Sequence, residues 1–103
     1  MKTLHLVLKG KWYDLIDCGA KTSEFRACTP YWNKRFIDRI EYTTGPVYIP
    51  PLVFTVKYDA VVFHRGYTNK TMKFQINSIR VTTEPNDLGL DKCWEIKLGE
   101  RIK

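Results

Sequence analysis

A chain of 103 residues, 44% hydrophobic and 14% aromatic, carries enough apolar side chain for one modest core, which excludes a disordered tract and needs no disulfide or metal to fold. The formal net charge of +6 is unevenly spread: residues 1–40 carry +4, residues 41–83 carry +3 and residues 84–103 carry −1. A basic excess of this kind suits a phosphate-bearing partner, and no run approaches the ~18 apolar residues of a membrane span.

The chain starts with one Lys followed by an alternating pattern, not a signal-peptide core. A cytoplasmic protein with no membrane partner is therefore expected, built as a single domain over residues 1–103. Cys18, Cys28 and Cys93 are an odd number with no C-x-x-C pair, so buried free thiols are expected, with no zinc site and no cofactor.

Leu4, Leu6 and Leu8 alternate with His5, Val7 and Lys9, which predicts a half-buried strand. Gly10 breaks it. Residues 11–18 read as a short helix with Trp12, Leu15 and Ile16 as its inner stripe. Gly19 suits the left-handed position that ends a helix. Residues 22–27 then read as a strand with Thr22, Glu24 and Arg26 on one face and Ser23, Phe25 and Ala27 on the other. That alternation sends Phe25 to the core and leaves Glu24 and Arg26 side by side, either as a solvated face or as a site.

Thr29-Pro30 announces a second helix, expected to run to about residue 39 with Trp32, Phe36, Ile37 and Ile40 as its stripe. Tyr31, Lys34, Arg35 and Arg39 lie off that stripe. Aromatic rings beside basic residues are a combination used on nucleic acids, because rings stack on bases while Lys and Arg meet phosphates. The other reading makes Trp32 core and the cations a solvated face.

Gly45-Pro46 and Pro50-Pro51 punctuate β-rich pieces at residues 47–49 and 52–56, which predicts an edge strand or two around a proline-containing loop. This region could be a lid or an edge that pairs with another chain. Residues 58–64 form a further strand, Gly66 and Asn69-Lys70 a turn, and residues 71–82 a long strand. In that strand the apolar parity flips from Met72, Phe74 and Ile76 to Ile79 and Val81, which predicts a bulge near Asn77-Ser78. Residues 84–89 are a loop and residues 93–98 a strand, with Gly99-Glu100 expected to turn into a last short pairing. The expected fold is mostly β (α+β): a barrel of about six strands covered by two short helices.

No P-loop, dinucleotide fingerprint, H-x-x-x-H pair or Ser/His/Asp motif is present. The strongest constellation is Lys21 with Glu24 and Arg26. Two readings are open. Lys21 and Arg26 could grip phosphate while Glu24 orients them or accepts from a base amino group. Alternatively, Lys21 and Glu24 could be an acid/base pair acting on a nucleotide-like ligand. His64-Arg65-Gly66-Tyr67 could supply further donors at a strand end.

Gly19-x-Lys21-x-x-Glu24-x-Arg26 resembles the G-x-K-x-x-E-x-R signature of ASCH domains, relatives of the PUA-like RNA-binding barrels. The likeness extends to residues 4–9, 12–16, 29–32, 63–67 and 94–99, and is nearest to the small ASCH-type proteins of phages and bacteria. It implies a PUA-like barrel with the signature residues lining a cleft at one mouth. The partner it implies is RNA or a nucleoside-like molecule, held by Lys21, Glu24 and Arg26, with Tyr31, Lys34, Arg35, Arg65 and Tyr67 around the rim. Some members resemble amidohydrolases on acetylated cytidine and others ribonucleases, which would make Lys21 and Glu24 the catalytic pair. In the amidohydrolase type the Glu24 position is a Thr, so that nucleophile is absent here. A structural or interaction module is the remaining alternative.

Overall fold

A computed structural model describes residues 1–103. Seven strands and two short helices follow one another as β1 (Thr3–Leu8), α1 (Gly10–Asp17), β2 (Ser23–Ala27), α2 (Pro30–Phe36), β3 (Ile37–Glu41), β4 (Leu52–Thr55), β5 (Ala60–Arg65), β6 (Thr71–Thr82) and β7 (Cys93–Ile102). The fold is mostly β, a curled half-barrel of five strands in the order β1-β5-β6-β7-β2. β1 runs parallel to β5, and the other neighbours are antiparallel. β3 and β4 form a separate antiparallel ribbon. No helix is long and apolar enough to cross a membrane.

The core follows the strand alternation. Leu4, Leu6 and Leu8 meet Val61 and Phe63 from β5, Met72 and Ile79 from β6, and Trp94, Ile96 and Leu98 from β7. The helices close it with Tyr13, Ile16 and Phe36. The Trp94 indole N–H donates to Asn33 Oδ1 at 2.8 Å, which satisfies a polar group that burial would otherwise strand.

Several expectations need correcting. β1 ends before Gly10, which opens α1, but the buried positions of that helix are Tyr13 and Ile16, with Trp12 and Leu15 at its margins. α2 stops at Phe36, not near 39, because Ile37 takes an extended conformation and Ile37–Glu41 pairs with β4. A seven-residue helix has little intrinsic stability to oppose that pairing. Ile40 is therefore an exposed strand residue. Residues 47–49 form no strand.

β6 covers the predicted residues, and its register with β7 shifts between Phe74 and Ile76 and again between Ile76 and Ser78. Such irregularities bend a strand and curl a sheet. Beyond them Ile79 and Val81 share a face opposite Ile96 and Trp94, with Ile79 buried and Val81 exposed. Gly99 does not turn the chain, since β7 is continuous to Ile102. It lies beside the irregularity, where a Cβ would stand 2.5 Å from Asn77 Oδ1. The missing side chain makes room for Asn77, whose amide donates to Leu98 O at 3.3 Å.

At the far end of β5, Arg65 grips Asp14 of α1 through Nε–Oδ1 at 3.1 Å and Nη2–Oδ2 at 3.0 Å. Hydrogen bonding from Arg65 holds the Asp14 carboxyl below its ordinary value. Burial, followed by the nearby Cys28 and Glu95, raises the Cys93 thiol. All three cysteines are free, with Cys18 exposed, Cys28 half-buried and Cys93 buried. Because the thiolate is the reactive form, alkylation of the native protein by iodoacetamide should modify Cys18 first and Cys28 more slowly. Cys93 should react only on unfolding, as peptide mass mapping over time would show.

Candidate functional site

The half-barrel does not close. β1 and β2 are its two edge strands, and a cleft of about 450 Å³ opens between them. Residues 7–9 at the end of β1, Trp12 of α1, Lys21, residues 24–27 of β2, Trp32 of α2 and the loop residues Asp87 and Leu88 line it.

The local chain places Lys21 firmly. Gly19 adopts φ +82° after α1, which reverses the chain at low steric cost. Lys21 N then donates back to Leu15 O at 3.0 Å. Its ammonium pairs with Asp87, stands 3.4 Å from Glu24 Oε1, and lies 4.9 Å and 5.3 Å from the ring centroids of Phe25 and Trp12. A lysine among two carboxylates and two rings is held by charge and by cation–π attraction together.

Glu24 is the centre of the site and is 7% exposed. Thr22 O accepts from Leu98 N of β7, so the amides of Ser23, Phe25 and Ala27 face the unpaired edge. Glu24 Oε1 accepts the Phe25 amide at 3.1 Å, and Oε2 accepts Arg26 Nη2 at 2.9 Å. Arg26 Nη2 also reaches Val7 O on β1 at 3.3 Å. One guanidinium thus ties the carboxylate of one edge strand to the backbone of the other. It lies 5.0 Å from the centroid of Trp32. Arg26 Nε is buried without a hydrogen-bond partner, the one such side-chain atom in the protein.

The inward face of β2 is therefore the Glu24 face. Phe25 falls outside the core, contrary to the alternation argument, because the inner side of an unpaired edge meets a cleft instead of apolar side chains. The charged face is not a solvated one.

Of the residues singled out in the sequence, Lys21, Glu24 and Arg26 come together. Tyr31 is exposed beside the cleft, its ring edge-on to Trp32 at 4.8 Å. The Arg35 guanidinium stacks 3.5 Å from the Tyr31 ring centroid, and Lys34 is exposed on the same helix. Arg65 and Tyr67 do not reach the cleft. β1 stands between them and it, Arg65 is engaged by Asp14, and Tyr67 is 99% exposed in a turn. Sequence reasoning missed Trp12 as a wall, Lys9 at the margin and Asp87. The Asp87 partnership with Lys21 spans 66 positions, and no local pattern signals it.

Protein-family models, curated proteins and solved structures were all compared with this chain, and none matches. The site's reading rests on its own chemistry. Nowhere do three or more His, Cys, Asp or Glu side chains gather as metal ligands. His5 Nδ1 and His64 Nε2, 3.1 Å apart across β1 and β5, are an isolated pair.

The charges at the floor of the cleft balance: Lys21 and Arg26 against Glu24 and Asp87. Removing one partner of a buried pair leaves the others uncompensated. Glu24→Gln should therefore lower unfolding stability by about 2–4 kcal/mol. Asp87→Ala should cost under about 1 kcal/mol, since Asp87 is more exposed and Lys21 keeps Glu24. Guanidinium chloride titrations of the two variants would measure the difference.

Proposed function

We propose that this chain is an ASCH-type domain that binds single-stranded RNA, or a nucleoside-like part of it, with a base in the cleft between β1 and β2. The observation that carries the reading is the buried Glu24 carboxylate, held between Lys21 and Arg26 in a cleft with Trp12 and Trp32 at its walls. A carboxylate has about four acceptor positions, and Phe25 N, Lys21 and Arg26 occupy three. A base amino or imino group would take the fourth.

Because Lys21 and Arg26 are already matched by carboxylates, the cleft floor suits a neutral base better than a phosphate. Phosphates belong at the margin, where Lys9 borders the cleft and Lys34 and Arg35 lie exposed on α2 beside Tyr31. Tyr31, steadied by Arg35, offers a neighbouring ring for a second base.

The test is a titration of tryptophan fluorescence with a short single-stranded RNA and with free nucleosides, at low and physiological salt. RNA binding should quench Trp12 and Trp32 and weaken with salt at a log–log slope of about −2, as for three phosphate contacts on a single strand. Lys34→Ala/Arg35→Ala should weaken RNA binding and flatten that slope by roughly 1 to 1.5 while leaving nucleoside binding unchanged. If the folded protein binds neither RNA nor any nucleoside, the proposal fails.

A further inference from the structure

The β3–β4 ribbon has no role in the cleft, yet it carries the most unusual surface of the molecule. Residues 42–56 contain no charged side chain in a protein that is 27% charged. Seven of the fourteen exposed large hydrophobic residues lie between Ile40 and Val53. Tyr48 is 84% exposed and Leu52 58%. The ribbon also makes the protein long. The extents are 54 × 32 × 22 Å, and the radius of gyration is 15.3 Å, against about 13 Å for a compact chain of this length.

Each strand of the ribbon pairs only with the other, so β3 presents one unpaired edge. A free edge is a template for another strand, and on β3 it carries one exposed apolar residue, Ile40, between the charged Arg39 and Glu41. The absence of basic residues between Arg39 and Lys57 argues against a nucleic acid there. The pattern on β3 fits another copy of the same strand. Arg39 and Glu41 flank Ile40 and point to one face, with Phe54 and Leu52 beside them, while Ile40 and Val53 share the other. If two β3 strands run antiparallel about a twofold axis at Ile40, each Arg39 faces the other copy's Glu41. Ile40 then meets its own counterpart. An interface around a twofold must be complementary to itself, and this sequence is.

We propose that the β3 edge is a homodimer interface in which two ribbons join as one four-stranded sheet, β4-β3-β3-β4. Within one chain Arg39 bonds Asp38 at 3.3 Å and Glu41 at 3.1 Å, and both contacts are exposed. Pairing across the axis gives these side chains partners on a fixed sheet surface and covers Ile40 on the opposite face. The proposal uses none of the cleft residues, so it stands or falls apart from the RNA reading.

Sedimentation equilibrium of the 103-residue chain over a concentration series tests it. The expected result is a concentration-dependent rise from the 12.1 kDa monomer to twice that mass. Arg39→Glu places two acidic residues opposite each other, and Glu41→Arg places two basic ones. Each alone should weaken self-association by roughly tenfold or more. Mixing the two variants should restore the dimer, because both positions are then acidic in one chain and basic in the other, and every facing pair is of opposite charge. Repair by mixing cannot arise from a contact within one chain. Circular dichroism checks that both variants keep the wild-type fold. A wild type that remains monomeric at all concentrations up to its solubility overturns the proposal, and with it the ribbon would be left for a different protein. A dimer insensitive to both charge changes, or one not restored on mixing, overturns it as well.

Discussion

The opening between β1 and β2 is the constraint on which the rest of the molecule depends. The five-stranded sheet curls without closing, and its two edge strands are left with unpaired backbone groups. Side chains from β2 meet them. The Glu24 carboxylate takes the free Phe25 amide, and the Arg26 guanidinium takes the Val7 carbonyl. The bonds that stabilise the seam also set the charge and the hydrogen-bonding capacity of the cleft. In this protein the barrel's structural gap and its candidate site are one feature.

That arrangement explains why charged groups sit at the floor of a cleft whose walls are mostly apolar. Buried charges persist where each has a partner and the remaining lone pairs find donors. Lys21, Glu24, Arg26 and Asp87 form such a group, with aromatic rings of Trp12, Phe25 and Trp32 around the cations. The rings exclude water from the ion pairs and leave flat surfaces at the margin. Under the proposed function, charge neutrality at the floor suits a base and the cations at the rim suit a backbone.

Much of the fold was legible because its strands alternate. β1 and β6 could be read to within a residue, and the parity flip near Asn77 marked a real irregularity. The motif around Lys21 singled out residues that the fold does bring together. The errors fall where local pattern and tertiary context disagree. Phe25 is the apolar residue of its strand, but the inward side of an edge strand here belongs to Glu24. Gly99 looks like a turn, yet its lack of a side chain serves Asn77 on the neighbouring strand. Ile40 continues a helical stripe on paper, but pairing with Val53 draws it into a ribbon. Asp87 is one acidic residue in a polar loop until the β6–β7 connection brings it to Lys21.

The strand that carries Glu24 and Arg26 has one hydrogen-bonded neighbour, and that neighbour is β7. Ser23 waits for Lys97 and Ala27 for Cys93, so some seventy residues must be made before β2 has anything to pair with. The first strand has to wait for β5 in the same way, across 57 positions. During synthesis the cleft cannot exist until residues 93–97 have left the ribosome. Folding is bound to be dominated by long-range closure and slow for a domain of this size. A truncated or stalled product would expose the charged seam and the leucine face of β1 with no site to show for them. The cleft is thus acquired last and all at once.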